Sequence, residues 1–112
     1  MMTMDPVAES DFEHLAGKVL SELERAIEAS GLSVDVETLE GGILQLEFAE
    51  GTPMIINRHL AAREIWVAAR TGGHHFSLSD GAWRDTRSGE ELFAAIERLL
   101  SDRCGQPVSL RA

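Results

Sequence analysis

The sequence predicts an α+β fold: a two-layer α-β sandwich, with two terminal helices packed on one face of a mostly antiparallel sheet. Three observations carry that prediction. Apolar residues recur at three- and four-residue steps near both ends of the chain. Between those ends run short segments in which apolar and polar residues alternate, each bounded by turn-forming residues. The connections are too short for helical crossovers, which makes neighbouring strands antiparallel.

The first helix is expected over residues 10–30, with Phe12, Leu15, Ala16, Val19, Leu23 and Ile27 as its apolar stripe. Ser10 and Glu13 have the spacing of a capping box, and Gly31 supplies a stop. From Ser33 the period becomes two: Val34 and Val36 alternate with Asp35 and Glu37. Glu40-Gly41-Gly42 turns into Ile43 to Phe48, which reads as a hairpin. Strands are expected next at Met54 to Asn57 and at Ile65 to Arg70, with His59 in the loop between them. Gly72-Gly73 is read as the turn into His74 to Leu78, and Ser79-Asp80-Gly81 as the turn into a short strand around Trp83. A second helix is expected from Ser88 to Ser101, with a Ser88–Glu91 capping box and Gly105 and Pro107 as its end. Residues 1–112 form one domain with a core over about 10–104, and Val108 to Ala112 are expected to pack loosely or not at all.

Composition excludes several functions. The net charge of −9 argues against a nucleic-acid partner and against an anionic membrane surface. No apolar run is long enough to span a bilayer, and the first residues lack the pattern of a signal peptide. A single cysteine, Cys104, rules out an internal disulfide and favours a cytoplasmic protein. An incidental thiol at a helix end accounts for it better than a nucleophile.

The charge is unevenly placed. Residues 1–50 hold twelve acids and two bases, a net of −10, while residues 51–112 have a net of +1. Such an asymmetry steers cations or basic proteins to one side of the molecule. Helical spacing and strand parity narrow that side to Asp11, Glu13, Glu24, Glu28, Asp35 and Glu37, with His14 close enough to Asp11 to join a cation. Oxygen ligands suit hard cations, but a plain solvated acidic face explains the same pattern equally well. His74 and His75 are adjacent on a strand and face opposite ways. No nucleophile–base–orienter arrangement and no tight metal motif can be read from spacing. On the strand at Ile65 to Arg70, Ile65, Val67 and Ala69 are the natural core set, which turns Trp66 toward the uncovered face as a protein-binding anchor. Trp83 is read as packing.

Several stretches resemble the bacterial frataxin family. They are Ile55-Ile56-Asn57-Arg58, Ile65-Trp66-Val67-Ala68, Gly72-Gly73-His74-His75-Phe76, Trp83 and Ser88-Gly89-Glu90-Glu91. Gly41 to Leu44 and Ser10 to Phe12 also fit, and the order and spacing of the pieces carry the likeness from Ser10 to about Leu100. The resemblance implies the same sandwich and an acidic ridge binding iron (Fe²⁺ or Fe³⁺) weakly. It implies two partners in iron–sulfur cluster assembly, a cysteine desulfurase and the scaffold protein. Trp66, Asn57 and Arg58 would belong to the partner face, and Glu24 and Glu28 to acid-to-base docking on the desulfurase. The protein would be an iron donor or a regulator, not an enzyme, and a monomer or an iron-dependent oligomer. Two alternatives stand beside this reading: a ferroxidase in an oligomeric iron store, whose Glu-x-x-His di-iron set the chain lacks, and an acidic adaptor with no metal role.

Overall fold

The computed structural model describes residues 9–110, with side chains from Asp11 onward. Its elements run α1 (Glu9–Ala29), β1 (Asp35–Leu39), β2 (Ile43–Glu47), β3 (Met54–His59), β4 (Glu64–Ala69), β5 (Gly72–Ser79), β6 (Ala82–Asp85) and α2 (Leu92–Cys104). The six strands form one antiparallel sheet in the order β1-β2-β3-β4-β5-β6. Each strand pairs with its sequence neighbour, as the short connections require.

Strand parity divides the sheet cleanly. Leu44, Leu46, Met54, Ile56, Ile65, Val67 and Phe76 are buried and belong to the same core as Phe12, Ala16, Leu23 and Ile27 of α1 and Leu92, Ile96 and Leu100 of α2. Phe12 meets Trp83 edge-to-face with ring centroids 6.0 Å apart, which ties the start of α1 to β6. The opposite parity forms an uncovered face. Across it Leu39, Ile43, Asn57, Trp66 and His75 stand in one cross-strand row.

Two turns depend on left-handed backbone. Asp80 and Gly81 have φ of 52° and 80°, the pair of positive angles that a two-residue hairpin loop requires between Ser79 and Ala82. At Gly42, φ is 77° and a Cβ would lie 2.8 Å from Arg58 Nε, so glycine is needed there for conformation and for space.

Several local expectations are corrected. The first helix already includes Glu9, so Ser10 is helical and not the residue before the helix; its side chain lies outside the described residues. The second helix begins at Leu92 and runs to Cys104. Its cap is Glu91, whose carboxylate accepts from the Phe93 and Ala94 N–H groups at 3.0 and 3.2 Å. Ser88 accepts instead from Glu90 N–H at 3.1 Å, a turn that precedes the helix. The β4–β5 turn is Arg70-Thr71, because Ala69 pairs with Gly72 and both glycines lie in β5. His59 ends β3 and is not in a loop.

The end of the chain is also docked. Leu110 is only 6% exposed and joins the core, past the expected boundary at 104. Val108 N–H donates to Ser101 Oγ at 3.0 Å and Leu110 N–H to a Glu97 carboxylate oxygen at 2.8 Å. These bonds fold the segment back along α2. Arg111 and Ala112 lie outside the described residues. Leu110→Ala is expected to lower unfolding stability by about 2 kcal/mol. Urea unfolding checks this: an unchanged midpoint would mean that the segment contributes nothing to the core.

Candidate functional site

The acidic residues singled out from the sequence lie on the solvent side of α1 and on the edge strand β1. On α1, Asp11, Glu13, His14 and Glu28 are exposed and Glu24 is half-buried. They lie outside the stripe formed by Phe12, Ala16, Val19, Leu20, Leu23 and Ile27. Glu24 and Glu28 stand one turn apart on neighbouring helix positions. β1 is the edge strand beside α1, and Asp35 and Glu37 are exposed on its outer parity. None of these six acids, nor His14, makes an ion pair among the described residues.

The register adds an acid that sequence spacing did not single out. Asp35 stands directly opposite Glu47, and Gln45, opposite Glu37, donates from its amide to Glu47. Two carboxylates facing each other across a strand pair repel. The hairpin register, had it been applied to the alternating pattern, would have found Glu47. Among the described residues no three His, Cys, Asp or Glu side chains are grouped so as to hold a metal ion. The edge offers carboxylates in pairs, which gives an exposed cation few ligands.

The second place is the uncovered face. Trp66 does point there, as strand parity required, but it is half-buried and not free. Its indole is stacked between His59, with centroids 3.7 Å apart, and His75, at 4.3 Å. Trp66 Nε1–H donates to Glu64 Oε1 at 2.8 Å, and His75 Nδ1 lies 3.7 Å from the same oxygen. His59 Nδ1 accepts from Ala62 N–H at 3.3 Å, which fixes that ring over the indole. Residues 59, 64 and 75 were invisible as a unit in the sequence. Only the β3–β4–β5 register, with His59 opposite Glu64 and Trp66 opposite His75, assembles them.

Asn57 stands opposite Trp66 on the same face. Arg58 has the other parity, opposite Ile65, and its guanidinium lies against Gly42 at the end of the sheet. The structure therefore brings Asn57 and Trp66 together and places Arg58 apart from them.

The third place is a cavity of about 310 Å³ at the far edge, lined by His74, Asp85, Arg87, Ser88, Glu90 and Arg98 among others. Asp85 is 9% exposed and accepts from the Arg87 and Ser88 N–H groups at 2.7 and 3.1 Å. His74 Nδ1 lies 3.4 Å from its other oxygen, on the face opposite His75. Burial pushes the Asp85 carboxyl up, but the bonds from Arg87, Ser88 and His74 outweigh it and hold the group below its ordinary range. Ser88 Oγ accepts from Glu90 N–H, so it is not poised as a nucleophile on His74. Arg98 grips Glu90 with two bonds of 2.9 and 3.2 Å, which raises the guanidinium pKa further. The cavity is a braced corner: Asp85 orders the loop that leads into the Glu91 cap.

Cys104 is half-buried at the last turn of α2. No helix among the described residues is long and apolar enough to cross a membrane.

This architecture, an antiparallel six-stranded sheet with two terminal helices on one face, defines a class. A family model described as a frataxin-like domain matches residues 5–106. The chain is 43% identical over 103 residues to the iron-sulfur cluster assembly protein CyaY of Dechloromonas aromatica, covering 92% of this chain and 98% of the relative. It is 44% identical over 112 residues to the protein of the same name from Ralstonia nicotianae, covering 97% and 99%. A solved frataxin from Psychromonas ingrahamii superposes with a TM-score of 0.85 at 32% identity, covering 95% of this chain and all of that one. The chain belongs to the frataxin family.

Asp85 gives this site a pH dependence. A carboxyl held below its unfolded-state value contributes stability above that value, near pH 4, and loses it as pH falls through the folded-state value. Asp85→Asn is expected to cost about 1 kcal/mol at neutral pH and to flatten the acid side of the melting-temperature profile. Parallel acid branches for the two proteins would show that Asp85 does not carry this dependence.

Proposed function

We propose that this chain is an iron-binding protein of iron–sulfur cluster assembly. In this reading it acts as an iron donor or as a regulator of a cysteine desulfurase–scaffold complex, and does so by binding and not by catalysis. Family membership supports the pathway, because the relatives are named as iron-sulfur cluster assembly proteins. The observation that carries the reading is the unpaired acidic edge: Asp11, Glu13, Glu24, Glu28, Asp35 and Glu37, none of which has a counter-charge among the described residues.

Unpaired carboxylates at an edge do two things. They attract a hard cation with oxygen ligands, at low affinity because few can converge on one ion. They also raise the encounter rate with a basic protein surface and orient it. Iron at this edge is cargo. It would sit between neighbouring acids such as Glu24 and Glu28, with water completing its shell, and such exposure makes release easy.

The uncovered face serves a separate contact. Trp66 and Asn57 offer an aromatic surface and an amide side by side, and the two histidines hold the indole in one orientation. A partner large enough to reach both the edge and the face would read charge on one and shape on the other. The scaffold protein and the desulfurase are the proposed occupants.

Reversing Glu24 and Glu28 together to lysine is expected to weaken desulfurase binding about tenfold or more at low ionic strength, with a smaller difference at high salt. Unchanged affinity at low salt would remove the edge from the docking surface. Iron is tested separately. Titration of the ¹⁵N-labelled protein with Fe²⁺ under anaerobic conditions is expected to broaden amide signals of α1 and β1 first. Uniform broadening, or none, would leave an acidic adaptor without a metal role.

A further inference from the structure

Gly17 stands in the interior of α1, and nothing within the chain explains it. Glycine is the poorest helix former after proline. Its φ is not among the left-handed ones, so any residue could adopt that backbone. A Cβ built there would meet nothing within 4 Å, so no neighbour requires the missing side chain. Alanine would fit and would favour the helix. What the glycine does provide is an opening in the helix surface.

That opening leads into a cavity of about 160 Å³ between α1 and the β1–β2 hairpin, lined by Leu20, Ser21, Glu24, Thr38 and Leu44, with Leu39 and Ile43 of the uncovered face reaching its rim. A space of that volume has room for one small aliphatic group. Leu39, on the rim, is the exposed large hydrophobic residue of the described chain, at 37%. An apolar notch therefore opens inside the most acidic edge of the molecule, with Glu24 beside it and Glu28, Asp35 and Glu37 on the same helix and strand. α1 carries two bases, Lys18 beside Gly17 and Arg25 beside Glu24, and the Arg58 guanidinium lies against Gly42 on the hairpin side of the notch.

We propose that this notch seats one aliphatic side chain of a basic partner segment, while the flanking carboxylates pair with the lysines or arginines around it. Charge complementarity selects that occupant. A second copy of this chain would bring its own net charge of −9 against the edge. The acids supply attraction without register; the notch supplies a fixed point, and a single buried aliphatic group converts steering into position. The inference rests on the acidic edge being a docking surface and adds where along it the partner is anchored.

The test uses two short lysine/arginine peptides that differ only in a central leucine or serine, titrated at low salt into the ¹⁵N,¹³C-labelled full chain. The leucine peptide is expected to bind about tenfold tighter, the effect of partly burying one aliphatic side chain. It should shift the Gly17 amide and the Leu20 and Leu44 methyl signals. Gly17→Met, which fills the notch from the helix side, should abolish the leucine preference and leave the serine peptide's affinity unchanged. Gly17→Ala should raise the melting temperature, a control that the position tolerates a side chain. Equal affinity of the two peptides for the native chain would overturn the notch and leave the acidic edge standing. Failure of both peptides to bind would sink the acidic edge as a docking surface, and the notch with it. Self-association of the native chain that Gly17→Met abolishes would assign the notch to a second copy and overturn the basic-segment proposal.

Discussion

A six-stranded sheet with two helices can be covered on only one side, and most of this molecule follows from that limit. Each strand must hold a period of two, so that Leu44, Leu46, Ile56, Ile65, Val67 and Phe76 reach the helices while their neighbours face outward. A slip of one residue in any strand would exchange the two sets. The buried set anchors Phe12, Leu23 and Ile27 of α1, and with them the direction in which the helix acids point. The outward set is free of that duty and can carry Trp66, Asn57 and the two histidines.

The same limit sorts the charge. α1 buries one stripe on the sheet, so its acids lie along the outer side of the helix. β1 in turn is acidic on its outer parity, with Asp35 facing Glu47. A charged edge strand resists edge-to-edge pairing with another sheet. It also keeps carboxylates solvated and unpaired, the state in which they can bind a cation or meet a basic surface. The far edge is built on the opposite plan. There Asp85 is enclosed, bonded to Arg87, Ser88 and His74, and its charge is used to brace a loop. One molecule thus keeps its structural carboxylate buried and its candidate functional ones bare.

The layer order, all six strands, both helices and the face of Trp66 were legible in the sequence, because they rest on periodicity and on turn residues. That the helix acids lie outside the buried stripe was legible for the same reason. What was not legible depends on pairing across the chain. Ser88 and Glu91 have capping-box spacing, but the loop that Asp85 orders uses Ser88 for a turn and leaves the cap to Glu91. His59, Glu64 and His75 carry no local signal, and only three registered strands bring them to Trp66. Asn57-Arg58 reads as one unit in the resemblance, yet strand alternation sends the two side chains to opposite faces. The docked end at Leu110 has no periodic pattern, and two bonds to side chains of α2 hold it.

The central claim is that this chain acts in iron–sulfur cluster assembly through its bare acidic edge. Cluster formation on a scaffold protein, driven by a cysteine desulfurase and followed by absorbance with and without this chain at low and at high iron, tests it most directly. The account predicts a change in assembly rate that depends on the iron level and that disappears when Glu24 and Glu28 are both reversed to lysine. Equal rates with and without the chain at both iron levels would contradict it.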